Sequence, residues 1–251
     1  YDIHKMGYPT LVNVVGADHG GYVKRAKAAV DAISQSNAKL NFLVCQIVHT
    51  FDNGEPVRMS KRAGTFVTLR DMMDRVGPDV MRFIMLTRKS DQVLEFDFAK
   101  VKETSKDNPV FYVQYAHARC CSVMRHAADM FDAANITDEK LAQVDMSVLS
   151  DAELEVVKVL INWPRIVEQA AQAFEPHRVA FYLQDVAAAF HSWWNKGKDD
   201  TTLRFLQEDK KDLTLARLAV VRAVATTIAS GLDVLGVEPM EEMRSEVSDA
   251  A

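Results

Sequence analysis

The chain has 251 residues, of which 48% are hydrophobic and 26% are charged, and its formal net charge is −5. This size and balance exclude a mini-protein and favour one large domain or two smaller ones. No run of 18 apolar residues occurs, so we expect no transmembrane helix. The N-terminus lacks the basic and apolar regions of a signal peptide, and it begins with Tyr1 rather than Met, so we expect that the chain starts within a longer protein.

The first half of the chain predicts a strand, a helix and a second strand. Residues 10–16 are β-branched and apolar and stop at Gly16, residues 22–34 have helical spacing, and residues 40–49 read as another buried strand. Such a βαβ order favours a parallel sheet, and ligands of these sheets bind at the carboxyl ends of the strands.

The pattern becomes helical from about residue 69 onwards. Ser150 and Glu153 have the spacing of a capping box, and Pro176 fits a first helical position. Helices joined by short loops predict a bundle, so the fold class is α/β followed by all-α. The predicted helices cover residues 79–88, 108–131, 150–174, 176–196 and 213–235.

Charge is distributed unevenly between the two halves. Residues 1–108 hold 16 Lys and Arg against 13 Asp and Glu, whereas residues 109–251 hold 14 against 22. A nucleic-acid contact in the second half therefore needs a local patch rather than a general positive field. Residues 109–128 contain no acid, and they carry Arg119 and Arg125.

The segment 56–65, Pro-Val-Arg-Met-Ser-Lys-Arg-Ala-Gly-Thr, combines three cations with small residues and no acid. Ammonium and guanidinium groups on a loop suit a pyrophosphate, because they can follow its charge during phosphoryl chemistry. On charge alone, an ordinary basic surface loop is the favoured interpretation. The three cysteines, Cys45, Cys120 and Cys121, lack C-x-x-C spacing, and we expect them to be reduced thiols.

The order of residues in two motifs is more specific. Arg58-Met59-Ser60-Lys61-Arg62 resembles the Lys-Met-Ser-Lys signature of the class I aminoacyl-tRNA synthetases, with Arg for the first Lys, and Gly16-Ala17-Asp18-His19 resembles their Gly-x-Asp-Gln-type motif. Further segments are similar to the anticodon-binding domain of the arginyl-tRNA synthetases: 108–119, 175–178, 189–195, 215–219 and 231–237. The chain thus resembles the C-terminal part of a bacterial-type arginyl-tRNA synthetase over essentially its whole length.

This resemblance implies an arginine–tRNA ligase that forms arginyl-adenylate from arginine and ATP and then transfers arginine to arginine tRNA. ATP with Mg²⁺ would be a substrate, with no tightly bound metal or organic cofactor. Residues 1–104 would be the end of a partial Rossmann-type catalytic domain, and residues 105–251 a helical anticodon-binding domain. The protein would be a cytoplasmic monomer with no membrane partner.

The resemblance also implies roles for residues of the two motifs. Gly16, Asp18, His19 and Met59 would bind ATP or the adenylate, with the Asp18 carboxylate accepting from the ribose hydroxyls. Lys61 would contact both the adenylate and the leaving pyrophosphate, supported by Arg58 and Ser60. Alternatives remain for Asp18 as a helix N-cap, for His19 as a structural histidine, and for Met59, where a packing role at the hinge of the loop is favoured over ligand binding.

Aromatic side chains in the helical half predict an anticodon-binding surface. Tyr112, Tyr115 and Arg119 share one helix face, and rings with a guanidinium suit unstacked bases. The alternative is that the tyrosines belong to the bundle core. The other residues assigned to the anticodon are Phe190, Trp194 and Met243; of the neighbours Trp193 and Trp194, one must face the core.

Two other functions compete with the ligase. A non-catalytic RNA-binding module would keep the helices but would have no use for a phosphate loop. A cysteine-specific synthetase would need paired zinc-ligand cysteines, which the sequence lacks. The chain also has no His-x-Gly-His motif, which the class uses to hold ATP phosphates, so we expect this chain alone to be inactive.

Overall fold

The structure is a computed structural model that describes residues 7–57, 67–105 and 107–243. The chain divides into two compact units, Tyr1–Val67 with Arg88–Ala99 and Thr68–Thr87 with Lys100–Ala251. The segment 68–87 thus groups with the later helices, although it precedes the predicted domain boundary at residue 104. The functional division at that boundary stays a prediction.

The first unit contains the predicted βαβ element. Strand β1 (Thr10–Gly16) runs parallel to β2 (Lys39–Cys45) through helix α1 (Val23–Ser34), with Thr10 opposite Lys39 and Gly16 opposite Cys45. The α/β prediction for this part is confirmed. Both strands end at the same edge, so the residues after Gly16 lie where ligands of parallel sheets bind.

The prediction of one continuous strand over residues 40–49 was wrong. Strand β2 ends at Cys45, and β3 (Val48–Asp52) belongs to a separate sheet of order β4–β3–β5. Between β2 and β3 the amide of Gln46 donates to the carbonyl of Ser90 at 2.8 Å, so the backbone there no longer pairs with β1. The unpredicted strands are β4 (Glu55–Pro56) and β5 (Leu94–Asp97), which pairs parallel to β3.

A buried carboxylate organises the hairpin between β3 and β4. The Asp97 oxygens accept from the amides of Gly54 at 2.8 Å, Asn53 at 3.2 Å and Ala99 at 2.9 Å. Asn53 and Gly54 both have positive φ, 52° and 80°, which an Asn-Gly turn tolerates. This hairpin leads directly into the basic segment that begins at residue 58.

The second unit is helical. Its long helices pack pairwise around a common core, as predicted for a bundle. The helices are α2 (Leu69–Val76), α3 (Pro78–Met85), α4 (Pro109–Met130), α5 (Asp138–Leu141), α6 (Asp151–Leu160), α7 (Trp163–Ala173), α8 (His177–Asp199) and α9 (Lys211–Leu235).

The predicted helix over residues 150–174 is two helices. The Ser150–Glu153 capping box is present and begins α6, as expected. Helix α7 begins at Trp163 with Pro164 in its first turn. Proline has no N–H for an intrahelical bond and disfavours helical geometry in the preceding residue, so the chain breaks there.

Helix α9 forms the centre of the helical unit. By length and composition it could cross a membrane, but half of its apolar 18-residue stretch is buried inside the protein. It packs against α4, α6 and α8. At Gly231 a Cβ atom would lie 2.5 Å from the Leu183 side chain, so only glycine permits this approach of α8. We therefore interpret α9 as a core helix.

One ion pair is enclosed in this core. Arg217 Nε on α9 donates to Glu153 Oε1 on α6 at 2.7 Å, and the two side chains are 3% and 0% exposed. Arg217 Nη1 also donates to the carbonyl of Arg204, while Glu153 accepts from the amide and hydroxyl of Ser150. Burial alone would raise the pKa of Glu153, but the Ser150 hydrogen bonds and the Arg217 charge outweigh it and hold that pKa below its ordinary value.

We predict that Arg217→Met destabilises the chain by about 3–5 kcal/mol, because it leaves a charged carboxylate buried without its partner. The measurement is urea unfolding at pH 7. Arg222→Met is the matched control: Arg222 is also an α9 arginine, but its pair with Asp138 is exposed and should contribute little. Equal effects of the two variants would contradict a special role for the buried pair.

Candidate nucleotide and nucleic-acid sites

The first candidate site lies at the carboxyl end of β1. Gly16 ends the strand, and a 3₁₀ turn, Ala17–Tyr22, presents Asp18 and His19 with side chains that are 81% and 63% exposed. The Asp18 carboxylate lies 3.7 Å from His19 Nε2. It also folds back over Gly16, where a Cβ atom would lie only 2.7 Å from Asp18 Oδ1. A side chain at position 16 would therefore displace this exposed carboxylate from its present position.

This geometry distinguishes between two interpretations of Asp18. Its side chain makes no capping hydrogen bond at the start of the 3₁₀ turn, whose N-cap is Gly16. An exposed carboxylate at the end of a parallel strand is a bidentate acceptor that a diol can reach. The residues assigned to the basic signature, Arg58, Met59, Ser60 and Lys61, lie outside the described residues.

The second candidate site is on α4. Asn108 begins this helix, since its side-chain oxygen accepts from the amide of Val110 at 3.1 Å and Pro109 occupies the first turn. The structure then brings Tyr112, Tyr115 and Arg119 together, each half-buried. Arg119 Nη2 donates to the Tyr115 hydroxyl at 2.7 Å, and its Cζ lies 4.0 Å from the Tyr115 ring centroid.

His191 on α8 provides a further hydrogen bond that fixes the position of this guanidinium. Arg119 Nη1 donates to His191 Nδ1 at 3.2 Å, and Nε2–H of the same imidazole donates to the Tyr112 carbonyl at 3.3 Å. Burial, with a smaller contribution from the Arg119 charge, lowers the pKa of His191 to about 4 despite the opposing effect of the Tyr112 hydrogen bond. The imidazole is therefore neutral at pH 7, as an acceptor for Arg119 must be.

Trp194 covers the guanidinium with a second aromatic ring. Arg119 Cζ lies 4.6 Å from its centroid, so the cation contacts the rings of both Tyr115 and Trp194. Trp194 is half-buried, whereas its neighbour Trp193 is 1% exposed and packs edge-on against Phe205. The expectation that one tryptophan of the pair faces the core agrees with this arrangement.

Phe190 requires a correction. It was expected to contact RNA, but its side chain is 0% exposed and stacks on Phe205 with centroids 5.7 Å apart. The spacing of Phe190 and Trp194 places both on one helix face, and Phe205 packs against both rings, at 5.7 Å and 5.6 Å between centroids, but only Phe190 is fully buried. Phe190 therefore supports the ring of Trp194 at 6.2 Å rather than offering a surface.

Met243 lies beside the α4 face. Together with Glu242 it lines a cavity of about 360 Å³ whose other residues are on α4, among them Tyr115 and Arg119. The structure thus brings together Tyr112, Tyr115, Arg119, Trp194 and Met243 and excludes Phe190. Sequence reasoning missed His191, although its position three residues before Trp194 placed it on the same side of α8.

No group of three or more His, Cys, Asp or Glu side chains is arranged to hold a metal ion within residues 7–57, 67–105 and 107–243. The cysteines of this part are all free thiols. Burial raises the pKa of Cys120 well above its ordinary value, which makes that thiol a poor nucleophile and a poor ligand.

Comparison with known proteins extends over nearly all of the chain. The chain is 58% identical to the arginine–tRNA ligase of Rhodospirillum rubrum and 57% identical to that of Parvibaculum lavamentivorans. Each match covers 97% of this chain and 42% of the relative. The chain therefore spans well under half the length of these curated relatives.

Solved structures agree with this similarity. A putative arginyl-tRNA synthetase from Campylobacter jejuni superposes with a TM-score of 0.81 at 28% identity, over 96% of this chain and 50% of that one. The Thermus thermophilus arginyl-tRNA synthetase, at 22% identity and a TM-score of 0.68, shares the fold over 92% of this chain and 41% of its own length.

The most specific match is to the helical unit that carries the α4 face. The family model described as the DALR anticodon binding domain matches residues 113–243, more than half of the chain. This range begins within α4 and includes Tyr115, Arg119, Trp194 and Met243. The chain belongs to the family of proteins that carry a DALR anticodon binding domain.

Proposed function

We propose that this chain is part of an arginine–tRNA ligase. The observation that carries the proposal is the Arg119 cluster, a guanidinium held between two aromatic rings, inside a unit that matches an anticodon-binding family. The names of relatives that are 57–58% identical to the chain supply the amino acid, arginine. The reaction belongs to the whole protein: arginine and ATP form arginyl-adenylate, and arginine is then transferred to arginine tRNA.

The first unit contributes to amino acid activation in this proposal. Asp18 accepts from the ribose hydroxyls of ATP or the adenylate, and Gly16 leaves room for that carboxylate. His19 stands beside Asp18 at the same strand end. Lys61, supported by Arg58 and Ser60, neutralises charge on the pyrophosphate that leaves with Mg²⁺ when the arginine carboxylate attacks the α-phosphate, and Met59 borders the bound ATP or adenylate.

The helical unit contributes tRNA recognition. Its part of the chain is acidic, so a general attraction for phosphate is weak there. The rings of Tyr115 and Trp194 and the fixed Arg119 guanidinium instead suit unstacked anticodon bases, which bind through their faces and edges. Tyr112 and Met243 border the same surface. We propose a monomer that acts in the cytoplasm without a membrane partner.

Tyr115→Ala should weaken binding of arginine tRNA by about 5- to 150-fold, because a stacked base contributes roughly 1–3 kcal/mol. Tyr115→Phe keeps the ring and loses only the hydroxyl that accepts from Arg119 Nη2, so its loss should be smaller. Filter binding or calorimetry with the purified chain measures both, and circular dichroism confirms that the variants are folded.

Phe181→Ala is the matched control for the tyrosine variants. Phe181 is a 48% exposed aromatic residue on α8, thirteen residues and therefore about 20 Å from Trp194 along the helix. Its loss should leave tRNA affinity unchanged. Normal binding by folded Tyr115→Ala, or an equal loss in Phe181→Ala, would contradict the assigned surface.

Lys61→Ala in the full-length protein should lower arginine-dependent ATP–pyrophosphate exchange by about 100-fold or more, because a charge that stabilises the leaving pyrophosphate is lost. Affinity for tRNA should stay close to that of the parent. Arg70→Ala removes an exposed cation of α2 and serves as the control for a general charge effect. Normal exchange by Lys61→Ala would show that the basic segment is an ordinary surface loop.

A further inference from the structure

The chain after α9 turns back across α4. Gly236 ends α9 in the left-handed conformation, φ 67°, and the Val237 amide donates to the Leu232 carbonyl. Val237 is 2% exposed and fixes the direction of exit. Residues 238–243, here called the terminal segment, then lie along α4.

Gln114 binds the terminal segment at two backbone groups. Its Nε2 donates to the Glu238 carbonyl at 2.8 Å, and its Oε1 accepts from the Met240 amide at 2.8 Å. Gln114 is 4% exposed. A buried side-chain amide that pairs with a backbone donor and acceptor fixes both the position and the register of the segment.

His117, one turn further along α4, binds the next backbone group. Its Nδ1 lies 2.9 Å from the Met240 carbonyl, and since a carbonyl only accepts, Nδ1 carries the proton. Arg125 adds exposed contacts, with Nη1 3.4 Å from the Glu241 carbonyl and Nη2 3.7 Å from Glu242 Oε1. Gln114, His117 and Arg125 therefore contact four of the five residues 238–242 and hold this stretch against one face of α4.

The held segment forms one wall of the cavity beside Arg119. That cavity, about 360 Å³, is lined on the α4 side by Tyr115, Ala118, Arg119, Ser122 and Arg125 and on the other side by Glu242 and Met243. Its volume is within the range of ligand pockets. Without the terminal segment the α4 residues would form an open surface instead of a cavity.

We propose that Gln114 and His117 are positioning residues for RNA: they dock the terminal segment so that Glu242 and Met243 complete a base-binding pocket with Tyr115 and Arg119. This proposal rests on the proposed tRNA binding of the helical unit. Neither Gln114 nor His117 touches RNA in it. Their effect passes through the segment, and it should therefore vanish when the segment is absent.

The experiment is a double-variant cycle with arginine tRNA as the probe. Gln114→Met has similar volume but neither polar group, and it should weaken binding about 5- to 30-fold through the loss of two hydrogen bonds to the segment. In a chain truncated after Val237, which should itself bind at least as weakly, Gln114→Met should change nothing further. Amide hydrogen exchange at residues 240–242 should rise in Gln114→Met.

Three further variants control for folding and for chemistry. Gln184→Met removes a half-buried glutamine whose amide bonds only within α8, and it should bind normally. His117→Leu should weaken binding, whereas His117→Asn, which keeps a donor near the position of Nδ1, should restore most of it. If Gln114→Met lowers the melting temperature, the comparison of His117→Leu with His117→Asn tests the positioning role instead.

The possible outcomes separate the two proposals. If Tyr115→Ala weakens binding and Gln114→Met does not, the positioning role is overturned while tRNA binding stands. An equal loss from Gln114→Met in the intact and truncated chains also overturns it, since the effect would then pass through α4 itself. If neither Tyr115→Ala nor Gln114→Met weakens binding, both proposals fail.

Discussion

The surface of the helical unit depends on one neutral histidine. His191 can accept from Arg119 only while its Nδ1 is unprotonated, and burial keeps the imidazole neutral by lowering its pKa to about 4. With the Tyr115 hydroxyl as its second acceptor, the guanidinium is fixed between two rings. A charged imidazole would repel Arg119, so the packing of α8 on α4 decides the chemistry of this face.

In the proposed function, an acidic unit has to use such fixed groups to bind RNA. Residues 109–251 carry 22 acids against 14 bases, and the terminal segment itself contributes Glu238, Glu241 and Glu242. Long-range attraction of phosphates is therefore weak, and affinity has to come from stacking and from directed hydrogen bonds. Because the Arg119 guanidinium and the terminal segment are already held in place, less conformational entropy would be lost when RNA binds.

Local sequence patterns predicted those parts of the structure that local chemistry determines. The apolar run before Gly16 predicted β1, and the Ser150–Glu153 spacing predicted the start of α6. The Asn53–Gly54 turn signal was present but was missed, and so was the break at Pro164. Gly16, Asp18 and His19 were assigned to a site because they resemble a motif with a known place in a sheet, and that assignment stays a prediction.

The remaining features depend on contacts between distant segments, which spacing alone does not reveal. Phe190 and Trp194 share a face and both contact Phe205, yet only Phe190 is fully buried, which the spacing alone does not reveal. The contacts of His191 and Gln114 likewise involve segments that are 72 or more residues away in sequence.

Ultraviolet cross-linking of arginine tRNA to the chain tests the proposed RNA surface most directly. Anticodon-loop nucleotides should attach to peptides that contain Tyr115 and Trp194. Attachment confined to other aromatic sites, such as Trp163 on α7, would contradict the proposed surface.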